Sequence, residues 1–110
     1  MAANTALADR IAEILLPRGC TIRRRFSGIE FHHHGVAVAG VWGDLLMVGL
    51  VAQDFAVAVQ QPGVRQHATK RIQIDGYVVL SPEQYDRDED LEAWLARSWK
   101  YHVSHQTPTS

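Results

Sequence analysis

Apolar residues recur at helical spacing near the start of the chain, at Leu7, Ile11, Ile14 and Leu15, which predicts a helix over residues 4–16. Asn4 or Thr5 can accept from its first free backbone N–H groups. Pro17 and Gly19 end it, because proline cannot continue a helix and glycine takes the reversed backbone without a steric penalty. Beyond that point the period shortens. Residues 21–26 are β-like but rich in arginine, residues 29–33 and 36–42 read as two more strands, and Gly43-Asp44 offers a turn into a fourth over residues 45–50. Short strands joined by very short connections mark an antiparallel meander.

A second helical face, Phe55, Ala58 and Val59, runs through residues 53–60 until Pro62-Gly63 stops it. Two further β segments occupy roughly residues 67–80, and Ser81-Pro82-Glu83 breaks the pattern. The last helix carries the most signals. Asp86 and Glu89 have capping-box spacing, Asp88 and Asp90 sit where the helix dipole favours negative charge, and Leu91, Trp94, Leu95, Trp99, His102 and Val103 form one apolar stripe. The element order is α-β-β-β-β-α-β-β-α, in an α+β domain over residues 1–105. Residues 106–110, QTPTS, have nothing to bury and are expected to form a flexible tail.

Composition narrows the classes of function. A chain of 110 residues has room for one core, and 46% hydrophobic with 21% charged residues is ordinary for a globular protein. A formal net charge of −1 argues against a domain that owes its affinity to phosphate contacts, so direct nucleic-acid binding ranks low. The lone Cys20 has no partner for an internal disulfide. No apolar run is long enough to cross a bilayer and no charged-then-apolar leader opens the chain, so a reduced, cytoplasmic protein without a membrane partner is expected.

Five local words occur in order: Phe26-Ser27-Gly28, the run Gly40-Val41-Trp42-Gly43-Asp44-Leu45-Leu46-Met47-Val48, Pro62-Gly63-Val64-Arg65, Gly76-Tyr77-Val78, and Asp90-Leu91 followed by Trp94. Each is mostly turn chemistry and core residues. Together, from about Arg23 to about Trp99, they resemble the TfoX N-terminal domain family, associated with bacterial competence regulators. The resemblance implies a two-layer domain with an antiparallel sheet and helices packed on one side of it. It implies no catalytic residues and no cofactor, because the family has no established chemistry to carry over. Longer members add a C-terminal domain that has no counterpart among these residues. The sequence departs from the family at Gly49, where arginine is usual, at Val51-Ala52, where Gly-Pro often opens the helix, and at Lys70-Arg71, which replaces a Thr-Gly turn. The same resemblance implies that Asp75-Gly76 is not a hairpin turn. The turn is expected near Lys70-Arg71, with Gly76 inside a longer strand at a bulge.

His32, His33 and His34 are the opening for a metal reading. Family members place Asn-Gly at the position of His34-Gly35, a strong signal for a two-residue hairpin turn, and histidine enters the left-handed region with modest strain. The implied register pairs His33 with Val36, His32 with Ala37, Phe31 with Val38 and Glu30 with Ala39. Ile29, Phe31, His33, Val36 and Val38 then face the core. Glu30, His32, Ala37 and Ala39 face outward, so Glu30 and His32 are exposed neighbours and the candidate metal pair. Two donors fall short of a divalent site, which takes three or four.

Arg23, Arg24 and Arg25 form the concentrated positive run and are the candidate anion or partner contact, with a charged, aggregation-resistant edge strand as the plainer account. Trp99 and His102 are read as core-facing, Cys20 as an inert or merely oxidisable thiol, and the acidic run at residues 86–90 as helix capping. No Ser/His/Asp arrangement, glycine-rich phosphate loop or zinc-type cysteine spacing is present. The expectation is a non-enzymatic regulatory or protein-interaction module, with a protein partner and a homodimer suggested by the small residues Ala37 and Ala39. The alternative is a small metal- or ligand-binding protein using the Glu30/His32 face.

Overall fold

The computed structural model describes residues 4–25, 28–68 and 73–105. Helix α1 (Thr5–Leu15) starts where Asn4 accepts from the N–H of Leu7 at 3.0 Å. Asn4 is also tied to the Gly43-Asp44 turn, through its own N–H to the Gly43 carbonyl and its side-chain amide to Asp44. A single 3-10 turn, Leu16–Arg18, closes on Gly19 with φ +95°. Strands β1 (Thr21–Arg25), β2 (Gly28–His33), β3 (Val36–Trp42) and β4 (Leu45–Gly49) follow as the expected meander. Then come α2 (Ala52–Ala58), β5 (Val64–Ala68), β6 (Gln73–Leu80), a four-residue α3 (Pro82–Tyr85) and the long α4 (Asp88–His105). The fold is α+β, with six antiparallel strands in the order β1-β2-β3-β4-β6-β5.

The helices pack on one side, α4 against β3 and β4, α1 against α4 and β2, and α2 against β6. Leu7, Ile11 and Leu15 meet Phe31, Val41, Leu46, Val48, Val78 and Leu80 there, closed over by Leu91, Trp94 and Leu95. Among the described residues no helix is long and apolar enough to cross a membrane.

Several local expectations change. Proline at a first helical turn starts α3 where the sequence suggested only a break, and β5 begins at Val64, directly after Gly63 turns the chain at φ +84°. Asp86 is the C-cap of α3 and does not cap the start of α4. The carbonyl of Arg87 accepts from Asp90 and Leu91 to open α4, and Asp88, Glu89 and Asp90 occupy its first turn. Arg10 locks that junction by donating to the carbonyls of Tyr85 and Asp86 and to the carboxylate of Asp88 at 3.0–3.1 Å. Val103 is exposed, and the buried stripe of α4 includes Ser98 in addition to the apolar residues. Val59 is exposed as well, leaving Ala58 and half-buried Phe55 as the inner face of α2.

The β2–β3 register matches the expected one at the tip and departs from it below. His33 pairs with Val36 and His32 with Ala37, but Phe31 then pairs with Ala39 and Glu30 with Gly40, leaving Val38 as the extra residue of a bulge. Val38 and Ala39 are consequently both buried, so the outward small-residue face that suggested a homodimer loses Ala39. Val36, expected inside, is exposed at the tip. Where the bulge ends the β3–β4 ladder, buried Ser98 fills in: its hydroxyl donates to the Val38 carbonyl at 2.5 Å and accepts from the Gly49 N–H at 3.3 Å.

Gly76 lies within β6 at φ +87°, as expected, with the irregularity in the β5–β6 pairing between Gln66 and Ala68. The expected turn at Lys70-Arg71 lies outside the described residues, as do Phe26-Ser27 and the expected tail.

Candidate functional site

His34 takes φ +52° beside Gly35 at φ +77°, the geometry that a two-residue hairpin turn demands. Strand alternation then separates the histidines. His32 turns with Glu30 to the sheet face away from the helices, while His33 turns toward α4.

On the first face, Nε2 of His32 lies 2.8 Å from Oε1 of Glu30. The two side chains are neighbours as expected, but they are not exposed: 8% of His32 and 15% of Glu30 reach solvent. Part of the reason is Tyr77. Its ring crosses Gly49 and its hydroxyl donates to the carbonyl of Ala37, the residue opposite His32. Burial raises the Tyr77 phenol pKa, with further upward contributions from Tyr101 and then Glu30. The Nδ1 atom of His32 is buried and has no hydrogen-bond partner among the described residues. Among the described residues no group of three or more His, Cys, Asp or Glu side chains gathers where it can hold a metal. Glu30 and His32 therefore offer two donors where a tight divalent site takes three or four.

On the helix face the hairpin tip meets the last turns of α4. Nδ1 of His33 lies 2.8 Å from Nε2 of His102, their rings edge to face, and His34 stacks on His33 with centroids 4.0 Å apart. Trp99 touches both His33 and His102, and the Arg18 guanidinium sits 5.2 Å above the Trp99 ring. Burial lowers the pKa of both histidines, and the neighbouring imidazoles lower it further. A hydrogen bond between two ring nitrogens needs at least one neutral imidazole, so the low pKa values match the contact. The sequence placed Trp99 and His102 toward the core but gave no sign of this pairing, whose members are 69 residues apart.

The arginine run falls on β1, an outermost strand. Thr21, Ile22, Arg23 and Arg24 are all exposed, and neither Arg23 nor Arg24 makes an ion pair among the described residues. For Arg25 the description covers the backbone alone. Cys20, just before the strand, is buried, and burial raises its thiol pKa against a smaller opposing effect of Arg18. That is the reverse of an activated nucleophile.

A cavity of about 520 Å³ opens between α2, β6 and the end of α4, lined by Leu50, Phe55, Gln66, Gly76, Tyr101 and Ser104 among others. Neither Glu30 nor His32 lines it. Compared with protein-family models, curated proteins and solved structures, the chain matches none.

Proposed function

We propose that this chain is a non-enzymatic regulatory module that works by protein contact in the cytoplasm, of the type represented by the TfoX N-terminal domain. One observation carries the reading. Among the described residues nothing pairs with the outer edge of strand β1, and its run of exposed residues includes two arginines that make no ion pair there. An outermost strand is a ready-made docking line, and its arginines, which also guard the edge against aggregation, supply charge for a partner to match. Element order, apart from the added α3, and an antiparallel sheet with helices on one side supply further support, because the resemblance implies them.

Affinity capture of the tagged chain from its own cells, followed by reconstitution with the purified candidate, tests the reading. A stoichiometric partner that binds the purified chain is the expected result. A chain that stays alone and instead turns over a small-molecule substrate overturns it.

The orphaned Nδ1 of His32 favours a second reading, a small ligand or metal ion bound at the Glu30/His32 face. Calorimetric titration with zinc decides that one. Stoichiometric submicromolar binding that is lost in His32→Ala would make metal binding the leading function.

A further inference from the structure

The chemistry of β1 specifies what it can dock. We infer that the partner contributes an extended acidic segment, which adds to the free edge of β1 as a seventh strand. This deepens the interaction-module reading above and rests on it.

Three observations converge on that occupant. First, β1 pairs through all five residues with β2, from Thr21 opposite His32 to Arg25 opposite Gly28, and nothing among the described residues pairs with its other edge. Strand addition supplies main-chain hydrogen bonds there, and alternate side chains supply selectivity. Second, alternation places Arg23 on the face of Glu30 and His32, and Ile22 with Arg24 on the helix face. An incoming strand thus meets a cation on each face and an apolar side chain, Ile22, that is 42% exposed. Third, Arg23 and Arg24 make no ion pairs among the described residues, so a partner's carboxylates displace none of those.

The same features disfavour other occupants. A second copy pairing antiparallel about the centre of β1 would set Arg23 opposite Arg23 of its twin, and directly opposed like charges destabilise a strand pair. A single-stranded nucleic acid is matched by basic residues interleaved with aromatic platforms, whereas β1 reads TIRRR and the chain carries a net charge of −1.

Fluorescence anisotropy with a labelled ten-residue peptide of alternating Glu-Glu and Val-Val pairs, which sets carboxylates on both faces of a strand, tests the inference on the full chain. The comparison ligands are its Lys/Val counterpart, a copy N-methylated at alternate residues, and a thymidine oligonucleotide of equal length. The acidic peptide alone should bind, and Arg23→Glu with Arg24→Glu should weaken it by about tenfold or more, since both charges face the added strand. Binding should also slow amide exchange in β1. The double variant is a surface change, and its thermal transition should match that of the parent chain.

No acidic-peptide binding at millimolar concentration, equal binding by the N-methylated copy, or tighter binding of the oligonucleotide each overturns the inference. A cellular partner whose affinity is unmoved by the double substitution also removes it, while leaving the interaction-module reading in place.

Discussion

Replacing Ser98 by alanine tests how the bulge in β3 is held. Ser98 is 1% exposed, and its single hydroxyl serves two backbone groups, the Val38 carbonyl at 2.5 Å and the Gly49 N–H at 3.3 Å. The variant removes one oxygen from a sealed site and adds no bulk, so water has little room to take its place. Two hydrogen bonds disappear and a buried donor and acceptor remain unpaired. Each net hydrogen bond is worth about 1 kcal/mol, and each orphaned group costs about 1–3 kcal/mol. The two descriptions overlap, since they count the same loss, and the 3.3 Å bond is the weaker. The expected destabilisation is therefore about 2–3 kcal/mol, equivalent to roughly 8–15 °C in Tm for a domain of this size. Urea unfolding should show a lower midpoint with an unchanged slope, and the Gly49 amide should exchange faster than its neighbours in β4. A loss below about 0.5 kcal/mol, within the range of an ordinary surface substitution, would show that the hydroxyl is not needed where the ladder ends.

Stability should fall as the solution is acidified from pH 7.5 to 5.5, because His33 and His102 have folded-state pKa values below the ordinary value of about 6.5. The unfolded chain then binds protons first, so stability is complete above that value and is lost as pH falls through it. Thermal melts should show the decline flattened in His102→Gln, and an unchanged slope would sink the assignment. Gly76→Ala forces a side chain into φ +87° with its Cβ 2.8 Å from Tyr101, and should cost about 1–3 kcal/mol in chemical denaturation; a neutral result would mean that β6 can straighten there. Asn4→Ala should cost about 1 kcal/mol by the same measurement through loss of the α1 cap, and a value near zero would assign the start of the helix to packing alone.

Elements whose signals are local were legible in the sequence. The α1 cap at Asn4, the stop at Gly19, the His34-Gly35 turn and the core-facing Leu91, Trp94 and Leu95 each follow from a few adjacent residues. The bulge was not legible, because Val38 and Ala39 are both small enough to sit on either face, and alternation alone gives no reason to skip one. Burial of the Glu30–His32 pair escaped for a different reason. It depends partly on Tyr77, which arrives from β6 across an intervening strand whose Gly49 leaves room for the rings of Tyr101 and Tyr77. A glycine in a strand interior signals a close approach, but not which side chain makes it. The His33–His102 contact joins a hairpin tip to the far end of a helix, a meeting decided by how α4 lies on the sheet. Sequence spacing carries no information about that.

The bulge at Val38 divides the hairpin into two independent frames of counting. Above it the paired residue numbers sum to one constant and below it to the next, so the tip keeps its own alignment whatever happens at the base. A deletion elsewhere in β3 would turn every following side chain over. Removing Val38 alone would merge the two frames and leave both ends where they are. Loss of a residue during divergence thus preserves the alignment at one position of this strand, though it removes the buried Val38 side chain and the carbonyl that Ser98 holds, and anyone transplanting the tip onto another scaffold must cut above that position to carry its geometry intact.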